Sequence, residues 1–241
     1  MKVAFSSDNH FDLNKIDVQR AMHVQALYLL NQNVTLYVIA GDLFNDFEQS
    51  LAFARDMQTA LADKIQIRFL AGNHDMGRGV TYDELESDLD PLYFHNKFID
   101  LTPDVRLIGN NGWYNYDFVG QDYTTEQILQ FKNNFWFDRR IQQPVSDQER
   151  FDRNMAQLQA QFDAADRKQT VVVSHFVPRT DYIKRFPYGN TRLDMANALL
   201  GSQALGDKLD QSYTINTITG HLHVHPAPLK VGNNTYYNAA V

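Results

Sequence analysis

Ile65-Gln66-Ile67-Arg68-Phe69-Leu70-Ala71-Gly72-Asn73-His74-Asp75 passes from a β-like apolar run into a polar run of amide, imidazole and carboxylate. A short apolar run rich in Ile and Phe, stopped by Gly, reads as a buried strand. The polar run therefore sits where the chain leaves a sheet. Four other places repeat the pattern. Residues 2–6 lead to Asp8-Asn9-His10, 36–40 to Gly41-Asp42, 170–174 to His175, and 215–219 to Gly220-His221-Leu222-His223. In open α/β sheets, ligands gather outside the carboxyl ends of strands, where groups distant in sequence meet in one crevice.

Between these strands lie helical patterns, the alternation expected of βαβ units. Apolar residues recur at helical spacing from Val18 to Leu30 and from Leu51 to Leu61, which predicts two crossover helices. Ser146-Asp147-Gln148-Glu149 has the form of a capping box, and Phe151, Met155, Leu158 and Phe162 follow on one helical stripe. Residues 105–109 add a strand, and 228–231 and 235–239 flank Gly232-Asn233-Asn234 as a hairpin. The expected organisation is one domain over 1–241, with no internal repeat or linker. Its last strand ends close to Val241, so a further C-terminal segment is also an expectation.

Residues 110–144 stand apart. They hold Trp113, Tyr114, Tyr116, Phe118, Tyr123, Phe131, Phe135, Trp136 and Phe137 without clean periodicity, and read as an insertion. One expectation is a cap whose rings wall a substrate cleft; the other is a satellite hydrophobic cluster under a long excursion. Arg139-Arg140, Arg179, Lys184, Arg185 and Arg192 are candidate anion contacts, weighed against solvated surface charge.

The chain has 241 residues, is 44% hydrophobic and contains no cysteine. Disulfides, zinc–thiolate sites and thiol nucleophiles are thereby excluded, and a reducing compartment fits. No stretch approaches the ~20 apolar residues of a membrane span, and Met1-Lys2 runs straight into Val3-Ala4-Phe5 without a signal-peptide core. A cytoplasmic protein with no membrane partner is expected. A net charge of −7 argues against long nucleic acids as partners, since these bind clustered basic residues. Neither Gly-x-x-x-x-Gly-Lys nor Gly-x-Ser-x-Gly occurs, which removes P-loop and serine-hydrolase readings.

Without thiolates, metal ligands must be imidazole, carboxylate and amide. A two-metal hydrolase shares a ligand between ions ~3.5–4 Å apart, and a carboxylate has the two oxygens this needs. Asp42 is the candidate bridge, because Gly41 lets the backbone turn sharply where the strand ends. Asp8 and His10, two residues apart, share one side of an extended segment, and His221 and His223 repeat that spacing. Asn73 offers an amide oxygen and His175 a further imidazole. Seven candidate ligands result: Asp8, His10, Asp42, Asn73, His175, His221 and His223.

Asp8-x-His10, Gly41-Asp42, Gly72-Asn73-His74-Asp75, His175 and Gly220-His221-x-His223 stand in the order of the calcineurin-like metallophosphoesterases, which the chain resembles over nearly its whole length. Among them it is most similar to small bacterial phosphoesterases with a segment like Gly112-Trp113-Tyr114-Asn115-Tyr116. The resemblance implies a four-layered α/β/β/α sandwich of two facing mixed sheets. It implies two metal ions, manganese, iron or zinc. Asp8, His10 and His223 would hold one, Asn73, His175 and His221 the other, and Asp42 would bridge them. His74 would be the catalytic imidazole, with Asp75 orienting and charging it. The implied reaction is hydrolysis of a small phosphorylated substrate, a phosphomonoester or phosphodiester, by a metal-activated hydroxide. A nuclease, a cyclic-nucleotide phosphodiesterase and a non-catalytic metal-binding scaffold are the alternatives. Asn45 departs from the pattern, standing where many members carry aspartate. His225 is expected at the surface or behind the ligands, and His23 and His95 in structural, helix-like settings.

Overall fold

The computed structural model describes every residue except 121 and 184–190. In chain order the elements are β1 (Val3–Ser6), α1 (Val18–Asn31), β2 (Leu36–Ile39), α2 (Phe47–Leu61), β3 (Gln66–Phe69), α3 (Tyr82–Leu85), β4 (Lys97–Thr102), β5 (Val105–Gly109), α4 (Thr125–Phe135), α5 (Asp147–Ala164), β6 (Gln169–Val173), α6 (Thr191–Asn197), α7 (Gln203–Asp210), β7 (Thr214–Thr219), β8 (Leu229–Val231) and β9 (Asn234–Asn238). The two crossover helices begin at side-chain caps: Asp17 accepts from Arg20 N and Asp46 from Gln49 N. Ser146 and Glu149 close the expected capping box at the start of α5.

The strands form two sheets, ordered β1-β2-β3 and β4-β5-β6-β7-β9-β8. Strand alternation explains why they stack. Leu36 and Val38 of β2 meet Leu107, Val171, Val173 and Ile218 of the second sheet in one apolar cluster. Their neighbours Tyr37, Ile39, Ile108 and Val172 instead join the cluster holding Leu51 and Met57 of α2 and Phe151 and Leu158 of α5. Two sheets with helices outside them are the α/β sandwich expected. One detail differs: the first sheet is wholly parallel, and only the second is mixed, with β4 and β8 as antiparallel edges. A wholly parallel sheet must be covered on both faces, and all four residues of β2 are buried.

Strand β4 has no counterpart in the sequence reading. It is an edge strand that alternates half-buried with exposed residues, and its Lys97 and Asp100 break up any apolar run. His95, expected in helix-like surroundings, lies buried just before β4, where its Nδ1 accepts from Asn111 N at 3.1 Å.

The aromatic residues of 110–144 divide between two settings. Trp113, Tyr114 and Phe118 are fully buried, with Trp113 and Tyr114 in the main core rather than over a cleft. The Asp147 carboxylate ties the region down. It accepts from Trp113 Nε1 at 2.9 Å, Lys132 Nζ at 2.7 Å, Gln143 Nε2 at 3.0 Å and the Tyr116 hydroxyl. The half-buried Trp136 and Phe137 face a cavity next to the strand ends.

Candidate metal centre

Parallel pairing sends the carboxyl ends of β1, β2 and β3 to one side, and those of β6 and β7 to the same crevice across the sheets. Short backbone bonds lock these ends together: Asp8 N donates to Gly41 O at 2.9 Å and Gly220 N to His175 O at 3.0 Å. The turns are tight enough that Asp8, His10, Asp42, His221 and His223 all adopt positive φ, between 43° and 70°. Left-handed backbone costs non-glycine residues energy and concentrates at functional sites, where surrounding structure enforces it. Gly41, at φ +96°, serves the same crowding. A Cβ there would lie 2.4 Å from Gly72 N and 2.9 Å from His175 Nδ1.

All seven candidate ligands converge, in two groups that share Asp42. In the first, Asp8, His10, Asp42 and His223 bring ligand atoms within 4.8 Å of one another. His10 Nε2 lies 3.0 Å from His223 Nε2 and 3.7 Å from Asp42 Oδ2, and His223 Nε2 lies 3.1 Å from Asp8 Oδ1. In the second, His175 Nε2 lies 3.3 Å from Asp42 Oδ2, 3.2 Å from His221 Nδ1 and 3.1 Å from Asn73 Oδ1.

The donor set fits cations. Asp8 Oδ1 and Asp42 Oδ2 are buried and have no well-aligned hydrogen-bond donor, only the imidazole nitrogens His223 Nε2 at 3.1 Å and His175 Nε2 at 3.3 Å, so positive charge, from a protonated ring or from a cation between these atoms, is needed to offset their burial. Oxygen and imidazole donors without sulfur suit divalent ions of hard or borderline character. The far nitrogens are committed elsewhere. His175 Nδ1 donates to Ala40 O at 2.8 Å and His221 Nε2 to Leu199 O at 3.3 Å, which leaves His175 Nε2 and His221 Nδ1 as the nitrogens facing the centre, the atoms that would give a lone pair to a cation.

The charges follow from burial and neighbours. Burial opposes ionisation of Asp42, but His175 beside it outweighs this and holds the carboxyl well below the usual range. The same pair acts on His175, where the Asp42 charge overcomes burial and lifts the imidazole to about 10 in the absence of a cation. Burial pushes His221 down to about 3 and His74 down to about 4.

His74 lies beside both groups without joining either. Its ring stands 4.6 Å from that of His10 and stacks on Phe137 at 3.8 Å and 18°. Its Nδ1 pairs with Asn45 Oδ1 at 2.6 Å. Asp75, expected to orient His74, does something else. Adjacent residues on the turn Asp75–Gly77 point apart, and the Asp75 carboxylate is buried beneath the Asp42 loop. There Oδ2 accepts from Asp42 N at 2.6 Å and Gly72 N at 2.8 Å, while Oδ1 accepts from Leu43 N at 3.1 Å, Phe44 N at 3.4 Å and Ser50 Oγ at 2.5 Å. Burial and the Asp42 charge push Asp75 up to about 7 against these donors. It is an anchor for the loop that carries Asp42. Asn45, read from sequence as a departure from the family, is the residue at the imidazole.

The centre opens on a cavity of about 350 Å³ whose walls include His74, Trp136, Phe137, Leu200, Leu222 and His223. No lysine or arginine lines it among the described residues. Arg179 is taken up by Asp181 and Asp210, Arg192 lies over Phe135, and Arg139 donates to Trp136 O. Arg140 sits over Phe137 at 5.1 Å. Lys184 and Arg185 fall outside the described residues. His225 is exposed.

A family model described as calcineurin-like phosphoesterase matches residues 1–225, and the chain belongs to that family. It is therefore a metal-dependent phosphoester hydrolase. Solved structures agree on the fold. A phosphopantetheinyl hydrolase from Mycobacterium tuberculosis superposes with a TM-score of 0.73 at 15% identity, covering 100% of this chain and 89% of that one. A dimetal phosphatase from Danio rerio gives 0.55 at 13% identity over 98% and 86%. The protein TT1561 of Thermus thermophilus gives 0.58 at 11% identity over 98% and 87%. Among curated proteins nothing matches significantly. No helix among the described residues is long and apolar enough to cross a membrane.

Proposed function

We propose that the chain hydrolyses small phosphoesters at a pair of metal ions, one held by Asp8, His10 and His223, the other by Asn73, His175 and His221, with Asp42 shared. The observation that carries this reading is the sharing itself, since Asp42 belongs to both ligand groups. When bound, such ions supply Lewis-acid charge and a water acidic enough to attack phosphorus near neutral pH. The ions suited to this donor set are manganese, iron and zinc. Cytoplasmic residence remains the expectation from composition.

His74 takes the proton-handling role. With Nδ1–H donated to Asn45 Oδ1 and burial keeping the ring neutral, Nε2 holds the lone pair and is the nitrogen available to take up a proton and pass it to the leaving oxygen. Phe137 fixes the plane of that ring by stacking on it. Asp75 stays out of the chemistry.

Diesters are favoured over monoesters. A monoester approaches two negative charges at neutral pH and a diester carries one. Beyond the ligands, the cavity offers Trp136, Phe137, Leu200 and Leu222 and no cation among the described residues. Those walls suit an apolar or planar substituent on the second ester arm. A cyclic-nucleotide phosphodiesterase is the second reading, supported by the half-buried Trp136 on the cavity wall; the net charge of −7 disfavours a nuclease of long polymers.

The test compares p-nitrophenyl phosphate with bis-p-nitrophenyl phosphate after loading with manganese, iron or zinc. The diester should be the better substrate, and His74→Ala should cost about 10²–10⁴ in kcat with metal content unchanged. Preference for the monoester refutes the diester assignment. Two bound metals with no hydrolysis of either compound favours a narrow substrate that neither compound mimics, or the scaffold.

A further inference from the structure

Asp138 lies in the aromatic stretch, on the turn Phe137–Arg140, and is fully buried. Both of its oxygens are engaged: Oδ1 accepts from Asn73 Nδ2 at 2.7 Å, and Oδ2 from the Tyr114 hydroxyl at 2.9 Å. The two ends of an asparagine amide are nearly the same shape, so its partners decide which end points where. A carboxylate only accepts. It therefore holds the NH2 of Asn73 on its own side and turns Oδ1 toward His175 Nε2, 3.1 Å away.

We propose that Asp138 is a positioning residue that fixes Asn73 with its oxygen toward the ion of the His175–His221 group, and so couples the aromatic stretch to affinity for that ion. The inference rests on the two-metal reading. The turn is itself held firmly. Phe137 stacks on His74, and Tyr114 stacks on Trp113 at 4.6 Å and meets Phe176, the residue after His175, edge-on at 5.5 Å. Tyr114, Asp138 and Asn73 thus form a bonded line from the main core to the metal centre. A free amide at position 73 would present its NH2 to a cation in part of the population, and that population binds poorly.

The test titrates metal-free wild type, Asp138→Ala and Asp138→Asn with Mn²⁺ alone, reading affinity by calorimetry, bound ions by electron paramagnetic resonance, and packing by near-UV circular dichroism. Wild type should take up two ions. Asp138→Ala should keep one site at wild-type affinity and weaken the other by about 10–100-fold, the range for removing a group that orients a ligand. Asp138→Asn should weaken the same site by less, because its amide can either accept from Asn73 Nδ2 or donate to Asn73 Oδ1 and so no longer dictates which end of Asn73 faces the ion. Wild-type affinity at both sites in Asp138→Ala overturns the proposal. Loss of both sites together with the near-UV signal also overturns it, as that marks a merely structural role. Wild-type affinity at both sites in folded Asp138→Asn does the same, since an acceptor-only group would then not be needed to orient Asn73. A wild type that binds fewer than two ions sinks the two-metal reading itself, before any variant is compared, and the inference with it.

Discussion

Replacing Asp75 by asparagine exchanges one oxygen for an NH2 group and changes little else in shape, so the consequence is readable from the donors around the carboxylate. Oδ2 receives the backbone N–H groups of Asp42 and Gly72, and Oδ1 those of Leu43 and Phe44 with the Ser50 hydroxyl. The less damaging orientation keeps oxygen at the Oδ1 position and sets the NH2 against two buried N–H groups. Each unpaired buried donor costs about 1–3 kcal/mol, giving roughly 2–6 kcal/mol. That is a large part of the roughly 5–15 kcal/mol typical of a folded domain. For a chain of this size the loss corresponds to a fall in Tm of roughly 5–20 °C. The assay is urea and thermal unfolding of metal-free Asp75→Asn and wild type at pH 5 and pH 8: burial and Asp42 raise this carboxyl to about 7, so its charge costs stability above that value, asparagine relieves that cost, and the deficit of the variant should be larger at pH 5. A variant within about 0.5 kcal/mol of wild type at pH 5, the range of substitutions away from special features, would refute the anchoring role. If it also lost turnover, Asp75 would return to being the partner of His74.

Three more outcomes follow from neighbouring contacts. Asn45→Ala frees His74 Nδ1 and should lower kcat by about 10–100-fold with metal content intact, which kinetics and metal analysis read together; unchanged kcat contradicts the pairing. Phe137→Ala removes the ring stacked on His74 and one cavity wall, a loss of about 0.5–1.5 kcal/mol, so KM for an aryl diester should rise about 2–10-fold while a dialkyl diester is less affected. Asp100 accepts from Arg106 and Lys168, whose hydrogen bonds hold its carboxyl below the ordinary 3.8. A depressed carboxyl contributes stability above about pH 4, its unfolded range, and loses it as the pH falls through its lower folded value. Asp100→Asn should therefore melt below wild type at pH 7, with the gap closing toward pH 2.5; a gap independent of pH would show the ion pairs to be idle.

The strands that carry the ligands were legible because burial on both faces leaves an uninterrupted apolar run, as in β2, and the ligands follow each run directly. Strand β4 was hidden by its edge position, where charged residues are tolerated. Helix α4 begins at a capping box of Thr124 and Gln127 that the surrounding aromatic residues obscured. Side-chain direction was the harder matter. Adjacency in sequence suggested that Asp75 serves His74, but a tight turn separates neighbours and brings Asn45, far earlier in the chain, to the ring. Asp138 gave no signal, because a carboxylate in an aperiodic aromatic stretch reads the same whether it faces solvent or Asn73.

Counting metals per chain tests the central claim most directly. After reconstitution with manganese and removal of excess, mass spectrometry should find two ions in wild type, one in His223→Ala and one in His221→Ala. Asp42→Asn should weaken both sites at once, because Asp42 is the only carboxylate in both ligand groups among the described residues. A wild type saturating at one ion, or Asp42→Asn retaining two at wild-type affinity, would contradict the shared-ligand centre.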